Sequence, residues 1–259
     1  MGFPFLSALS GRAGDAERRQ LGFALVGLGG LSTQQLGPAL ACKQANRMVA
    51  VAYRCQFDPN HLECRRLAME KVFGEIQTIE AGFSRGINAG EWRLKKDLAG
   101  GGPLMDVGIY ALQTCRFVSG LEPIEVSGKF GPVTDPVKFA EVEESLEWQM
   151  TFPGKLKTTC KTNYERGDLH GFTVTAEKGS FGLNPAYNYN SARGTRSDGQ
   201  TIHLPSINQF AAEMDDFAQC IMNNKPSQVS GEEGLRDVKI MLALYDSART
   251  GKPVKLASA

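Results

Sequence analysis

The chain has 259 residues, enough for one large domain or two small ones. Its 42% hydrophobic and 22% charged residues are ordinary for a globular protein that can bury a sizeable core. A formal net charge of +1 argues against general attraction to nucleic acid or an anionic membrane, and no apolar run reaches bilayer-spanning length.

Residues 1–20 read as an irregular tail. They carry a short apolar patch without a preceding basic region, a poor secretory signal. Residues 21–26, LGFALV, predict a short strand that runs into Gly27-Leu28-Gly29-Gly30-Leu31-Ser32 and then a helix to Cys42. A strand, a G-x-G turn and a helix form the context of a dinucleotide-binding turn. Gly27 permits the tight turn, Gly29 lets backbone approach a pyrophosphate, and Ser32 is the small residue at the third position. Residues 48–52, MVAVA, predict a second strand, which in such a unit ends near an acid that holds the ribose. Here it runs into Tyr53-Arg54-Cys55, and the nearest acid is Asp58. Only 25 residues separate Gly27 from Tyr53, room for one βαβ unit and no more.

A helix is predicted over residues 59–73, with Leu62, Leu67 and Val72 among its apolar positions and Gly74 at its end. Residues 75–83 alternate like a strand, and a loop with Trp92 and Arg93 follows. Residues 98–123, LAGGGPLMDVGIYALQTCRFVSGLEP, organise the chain. Gly100, Gly101 and Gly102 form a flexible loop, and Pro103 suits the first position of a helix. Leu104, Val107, Tyr110, Ala111, Leu112, Cys115 and Val118 recur at helical spacing, and Gly120 stops the helix. Asp106 and Tyr110 are four apart on one face. One reading is a satisfied buried Asp and a core Tyr. The other is an acid/base pair lining a pocket.

The remainder predicts a sheet. Residues 124–130 form a strand, residues 146–152 alternate strictly, and Pro153-Gly154 turn the chain. Residues 156–164 alternate again, Phe172, Val174 and Ala176 line a further strand, and residues 181–183 pair back after a tight turn. Strands joined by tight turns are antiparallel, and such a sheet often leaves one face open. Two packing helices close the chain. Residues 208–223 carry Phe210, Met214, Phe217 and Ile221 on one face. Residues 230–250 open with Ser230 and Glu233 at capping-box spacing, carry Leu235, Val238, Met241, Leu242 and Tyr245, and end at Gly251. The six cysteines, Cys42, Cys55, Cys64, Cys115, Cys160 and Cys220, include no C-x-x-C pair, and there are three histidines. That pattern predicts reduced thiols in a cytoplasmic protein without a zinc site.

The segment around residues 98–123 resembles the central signature of the Gfo/Idh/MocA oxidoreductases, with closest likeness to their glucose–fructose oxidoreductase branch. The likeness extends to Glu91-Trp92-Arg93-Leu94, Glu122-Pro123-Ile124-Glu125-Val126, Tyr53-Arg54-Cys55, Asn223-Asn224-Lys225-Pro226 and Gly231-Glu232-Glu233-Gly234, and covers nearly all of residues 50–255. It implies an α/β (α+β) fold: a large, mainly antiparallel open sheet over residues 53–259, covered by helices on one face. Residues 21–52 would be a remnant of a Rossmann domain, most of which is deleted. It also implies hydride transfer between NAD or NADP and a sugar or polyol. Tyr110 would move the proton, Asp106 would orient substrate or tune the phenol, and Tyr53 would stand near nicotinamide and substrate. Some relatives in this branch are exported, which keeps a periplasmic home open should a leader have been removed.

The family's E-K-P lysine has no counterpart in this sequence. A phenol needs a neighbouring cation to titrate near neutral pH, and Arg93, Lys95 and Lys96 are the nearby candidates. The expectation is therefore a homologue that binds no nicotinamide tightly, has lost catalysis, and persists as a homo-oligomer paired through the open sheet face. An active NAD(P)-dependent sugar oxidoreductase with a reduced cofactor site, and a module that binds a small sugar, are the alternatives. No nucleic-acid or membrane partner is expected.

Overall fold

The alternating segments of the sequence become strands because each can hide its apolar set on one side only. In the computed structural model, which describes residues 47–257, they form one nine-stranded sheet. The strands are β1 (Ile76–Ser84), β2 (Glu125–Phe130), β3 (Ser145–Thr151), β4 (Lys157–Asn163), β5 (His170–Ala176), β6 (Gly179–Leu183), β7 (Gly194–Arg196), β8 (Thr201–Ile202) and β9 (Val254–Lys255). Their spatial order is β8-β7-β6-β5-β1-β4-β3-β2-β9. β1 pairs parallel with β4, and the other pairings are antiparallel. The mainly antiparallel open sheet expected from the alternation is what the chain builds. The predicted strand at residues 21–26 and the turn with Gly27, Gly29 and Ser32 lie outside the described residues.

Register sorts the two faces. Ile79, Trp148, Met150, Cys160, Phe172 and Val174 are buried beneath three helices. These are α1 (Pro59–Met69), α3 (Ile109–Ser119) and the long C-terminal helix α5 (Gly231–Thr250). On the opposite face, Glu80 lies level with Thr159 and Thr173, and Thr159 with Gln149. These four are exposed, so that face stays open and polar. Helix α5 crosses β2 closely because residue 128 is glycine: a Cβ there would sit 2.8 Å from the Leu244 carbonyl oxygen.

The glycine loop enters its helix through an unexpected turn. A short helix α2 (Lys96–Ala99) ends at Gly100, whose φ of 79° suits glycine alone. The next segment, Leu104–Gly108, winds as a π-helix before α3 begins. Gly120 closes α3 at φ 66°, as the sequence predicts.

Four other expectations are corrected. Residues 48–52 form no strand. Ala50 makes an isolated bridge to Ser230, and the Val51 amide donates to the Val229 carbonyl at 2.7 Å. This stretch therefore pairs with the lead-in to α5 and stays out of the sheet. Helix α1 stops at Met69 rather than residue 73, with Lys71 in the left-handed region, and Leu62 and Val72 are exposed. Helix α4 (Gln209–Met222) buries its polar side: Gln209 and Glu213 face inward, whereas Phe210 is 45% and Met214 50% exposed. The capping box of α5 does not form. Ser230 makes no side-chain cap bond, and the Glu233 carboxylate is taken by Gln113, Arg116 and Arg236. Leu235 and Leu242 are also exposed, while Val238, Met241 and Tyr245 are buried.

Candidate functional site

The site grows from the segment before α1. Tyr53 leads a 3₁₀ turn, Arg54–Phe57, and Asp58 caps α1 by accepting from the amides of Asn60 and His61 at 3.0 and 3.1 Å. The turn buries Arg54. One guanidinium nitrogen donates to Gln209 Oε1 at 2.7 Å and another to the Tyr187 carbonyl at 2.7 Å. The guanidinium lies over the rings of Tyr189, at 4.3 Å, and Tyr110, at 5.3 Å.

Tyr110 sits in the first turn of α3, edge-on to Phe83 and Tyr187. Burial raises its phenol above the ordinary value, and the Arg54 charge opposes that rise without reversing it. Asp106 lies in the π-helical turn. It accepts from Arg93 Nε and from the Tyr164 hydroxyl, each at 3.0 Å, with an Arg85 nitrogen 3.7 Å away. Tyr164, rather than Tyr110, is the phenol that Asp106 acts on. Burial first and Asp106 second push the Tyr164 pKa up. Arg93 in turn stacks on Trp92 at 4.6 Å.

Tyr53, Arg54, Trp92, Arg93, Asp106 and Tyr110 line a single cleft of about 300 Å³. The structure thus brings together the three residues singled out for chemistry, Tyr53, Asp106 and Tyr110. It does not pair them. Burial, then the nearby, fully buried Asp237, hold the Tyr53 pKa well up. Asp237 belongs to a network with Gln113 and Arg116, which Glu233 and Glu122 extend to the surface.

The cation beside Tyr110 is Arg54, which sequence reasoning passed over. The three candidates it named are engaged elsewhere: Lys95 Nζ bonds Glu141 at 2.7 Å, the Lys96 amide bonds the same carboxylate, and Arg93 holds Asp106. A signal was present, since Arg54 directly follows Tyr53 in a segment already marked by resemblance. Among the described residues, no cluster of His, Cys, Asp and Glu could hold a metal ion. Nor is any helix there long and apolar enough to cross a membrane.

Known proteins resemble this chain in sequence and fold. The family model for the GFO/IDH/MocA C-terminal domain matches residues 61–182. A D-xylose 1-dehydrogenase [NADP(+)] from Haloarcula marismortui is 27% identical over 225 residues, 83% of this chain and 62% of that protein. A D-glucoside 3-dehydrogenase from Escherichia coli is 24% identical over 234 residues, 83% of this chain and 66% of that protein. Among solved structures, an aldose-aldose oxidoreductase from Caulobacter crescentus, complexed with glycerol, superposes with a TM-score of 0.79 at 32% identity. That match covers 84% of this chain and 66% of the other. The chain therefore spans 62 to 66% of the length of these relatives.

Proposed function

This chain belongs to the Gfo/Idh/MocA oxidoreductase family, and from that premise we propose that it keeps only the substrate half of such a site. In this reading the cleft takes a small sugar or polyol, while tight nicotinamide binding and hydride transfer are lost. The observation that carries the reading is the setting of Tyr110. Its phenol is pushed up by burial, and its neighbouring cation is a guanidinium already shared with Gln209 and Tyr187. No lysine lines the cleft among the described residues. A proton-transfer group works best when its pKa lies near the working pH, and this phenol is displaced the wrong way.

The cofactor side supports the same reading from the sequence. Gly27, Gly29 and Ser32 match a turn that offers a pyrophosphate its backbone donors, but no Asp or Glu stands between Ser32 and Asp58 to hold the ribose. A dinucleotide held at its pyrophosphate alone keeps most of its surface in water, whereas good sites bury most of their ligand. On this view residues 21–52 are a remnant of a dinucleotide-binding domain and residues 53–259 the working domain. Calorimetric titration with NAD, NADH, NADP and NADPH is the test. The expected dissociation constants are millimolar or weaker, about −4 kcal/mol or less favourable. A low-micromolar constant for any of the four would overturn the proposal. It would favour the second reading, an NAD- or NADP-dependent sugar oxidoreductase. That alternative draws on the convergence of Tyr53, Asp106 and Tyr110 in one cleft, and on relatives named for NADP(+) and aldoses.

The open sheet face is proposed as the surface where a second copy docks. Its threonine-rich rows carry the Lys161–Glu147 ion pair at 3.0 Å, an open polar surface that offers a symmetric partner charges of both signs. A cytoplasmic location belongs to the same proposal, supported by the free thiols of Cys55, Cys64, Cys115, Cys160 and Cys220.

A further inference from the structure

We infer that His61, fixed by Asp58, is a ligand-binding residue at the cleft, its Nε2 pairing with a hydroxyl of the bound polyol. The inference rests on the reading of the cleft as a polyol site and adds a contact which that reading does not contain.

His61 lies in the first turn of α1 and is 1% exposed, yet it is part of the cleft lining. One side of its ring is fully accounted for. Nδ1 is 3.0 Å from Asp58 Oδ1, which also accepts the Asn60 and His61 amides. The other carboxylate oxygen takes Gln209 Nε2 at 2.7 Å. Burial works against the Asp58 charge, but these bonds overcome it and hold the carboxyl below its ordinary value. An ionised carboxylate only accepts, so Nδ1 carries the proton of that bond and the ring orientation is set.

The other side is not accounted for. Nε2 is shielded from solvent and has no hydrogen-bond partner among the described residues. Its ring neighbours are Phe172, at 5.8 Å, and Tyr187, at 6.2 Å, and ring faces do not satisfy it. A histidine kept only to anchor the start of α1 would need Nδ1 and nothing more. A second orphan belongs to the same cleft: Arg54 Nε is buried without a partner among the described residues, although both terminal nitrogens of that guanidinium are engaged. A buried polar atom left unpaired costs about 1–3 kcal/mol, so two in one cleft mark where a polar ligand would pair. A hydroxyl is the fitting group because it both donates and accepts. It serves the Arg54 N–H as acceptor and His61 Nε2 in either ring state. A carboxylate or phosphate would fit Arg54 but not a lone pair at Nε2. Asp58 is then a positioning residue, and Gln209 ties it to Arg54.

The test uses the whole chain labelled with ¹⁵N at its histidines, which number three: His61, His170 and His203. Xylitol is titrated in, and saturation-transfer signals from xylitol report occupancy while the ring nitrogens are followed. The expected result is a saturable change at His61 Nε2 with the same midpoint as the occupancy signal. The His61→Phe variant should weaken xylitol about tenfold, the loss of one hydrogen bond to a buried group. Occupancy without movement of the His61 nitrogens overturns this inference and leaves the cleft reading standing. No xylitol signal at any concentration overturns both.

Discussion

Replacing Glu213 by Gln should make the protein more stable at alkaline pH and leave it nearly unchanged at acid pH. Glu213 lies on the buried side of α4 and is 8% exposed. Burial pushes its pKa up to about 7, against the pull of the Tyr53 amide and the Arg54 charge. One of its oxygens, Oε1, has no partner among the described residues. The folded state therefore holds this proton more firmly than the unfolded chain, whose carboxyl titrates at 4.5. Stability from this group is fully present below pH 4.5, falls as pH rises, and is gone above pH 7. At about 1.4 kcal/mol per pH unit, the gap between 4.5 and about 7 corresponds to about 3 kcal/mol. Solvent reaching the partly shielded carboxylate reduces the expectation to about 2 kcal/mol. Gln keeps an acceptor for the Tyr53 amide and cannot ionise. Urea unfolding of parent and variant across roughly pH 5 to 8 measures the effect. The two stability curves should diverge with rising pH, the variant ending higher. Parallel curves would refute the assignment of this proton to Glu213.

Further outcomes follow from packing and from the open face. Arg116→Met removes the cation shared by Asp237, Glu233 and Glu122 and leaves Asp237 fully buried without its ion-pair partner. It should cost about 3–5 kcal/mol in urea unfolding, and a loss below about 1 kcal/mol would mean the network is not structural. Trp148→Ala empties the centre of the core, where Trp148 is 1% exposed, and should cost about 3–5 kcal/mol with a matching fall in melting temperature. Thr159→Arg places a bulky charge in the middle of the open sheet face without touching the core. Sedimentation velocity should then show monomer where the parent self-associates, with unfolding curves unchanged. A parent that is already monomeric at micromolar concentration sinks the docking proposal itself.

The sheet was legible because its strands obey a local rule. In β3 and β4, the alternation of Leu146, Trp148 and Met150, and of Thr158, Cys160 and Thr162, is itself the burial pattern. Helix α4 was not legible, because amphipathicity says only that two faces differ. Which face is buried was decided by residues more than 150 positions away, where Arg54 and Asp58 bond Gln209. Residues 48–52 failed for the same reason: their hydrophobic run suits a strand, but their partner is the single extended stretch at Val229 and Ser230. At the site, spacing found Asp106 and Tyr110 but not their relation. A separation of four implies contact in an α-helix, whereas the π-helical turn before α3 and the reach of Arg93 and Tyr164 sent Asp106 elsewhere. The Asp58–His61 pair escaped notice because a helix cap and a lone histidine are ordinary in any sequence. What distinguishes it is an unpaired atom, which no sequence displays.

The choice of arginine over lysine at the cleft bears on chemistry as well as packing. A lysine can surrender and regain a proton when its surroundings shift its pKa, so it can sit within a proton-transfer path. A guanidinium stays charged throughout and offers only fixed donors. Arg54 spends two of those on Gln209 and Tyr187, which locks its plane over Tyr110 and leaves Nε as the remaining directed donor. Asp106 is locked in the same way between Arg93 and Tyr164. Groups fixed like this are organised before a ligand arrives, which lowers the ordering cost of binding. They are also poor at exchanging protons, because each change of protonation would break bonds that define the cleft wall. Tyr110, kept protonated by burial, then serves as a hydroxyl that donates and accepts. Recognition of a polyol needs nothing else from it. Hydride transfer needs a proton acceptor with a matched pKa, and changing the cation beside Tyr110 tests that difference directly. If Arg54→Lys retains the fold and brings the Tyr110 phenol below its present value in a spectrophotometric titration, the identity of this one cation sets that phenol's proton affinity, and an unchanged titration would refute the link.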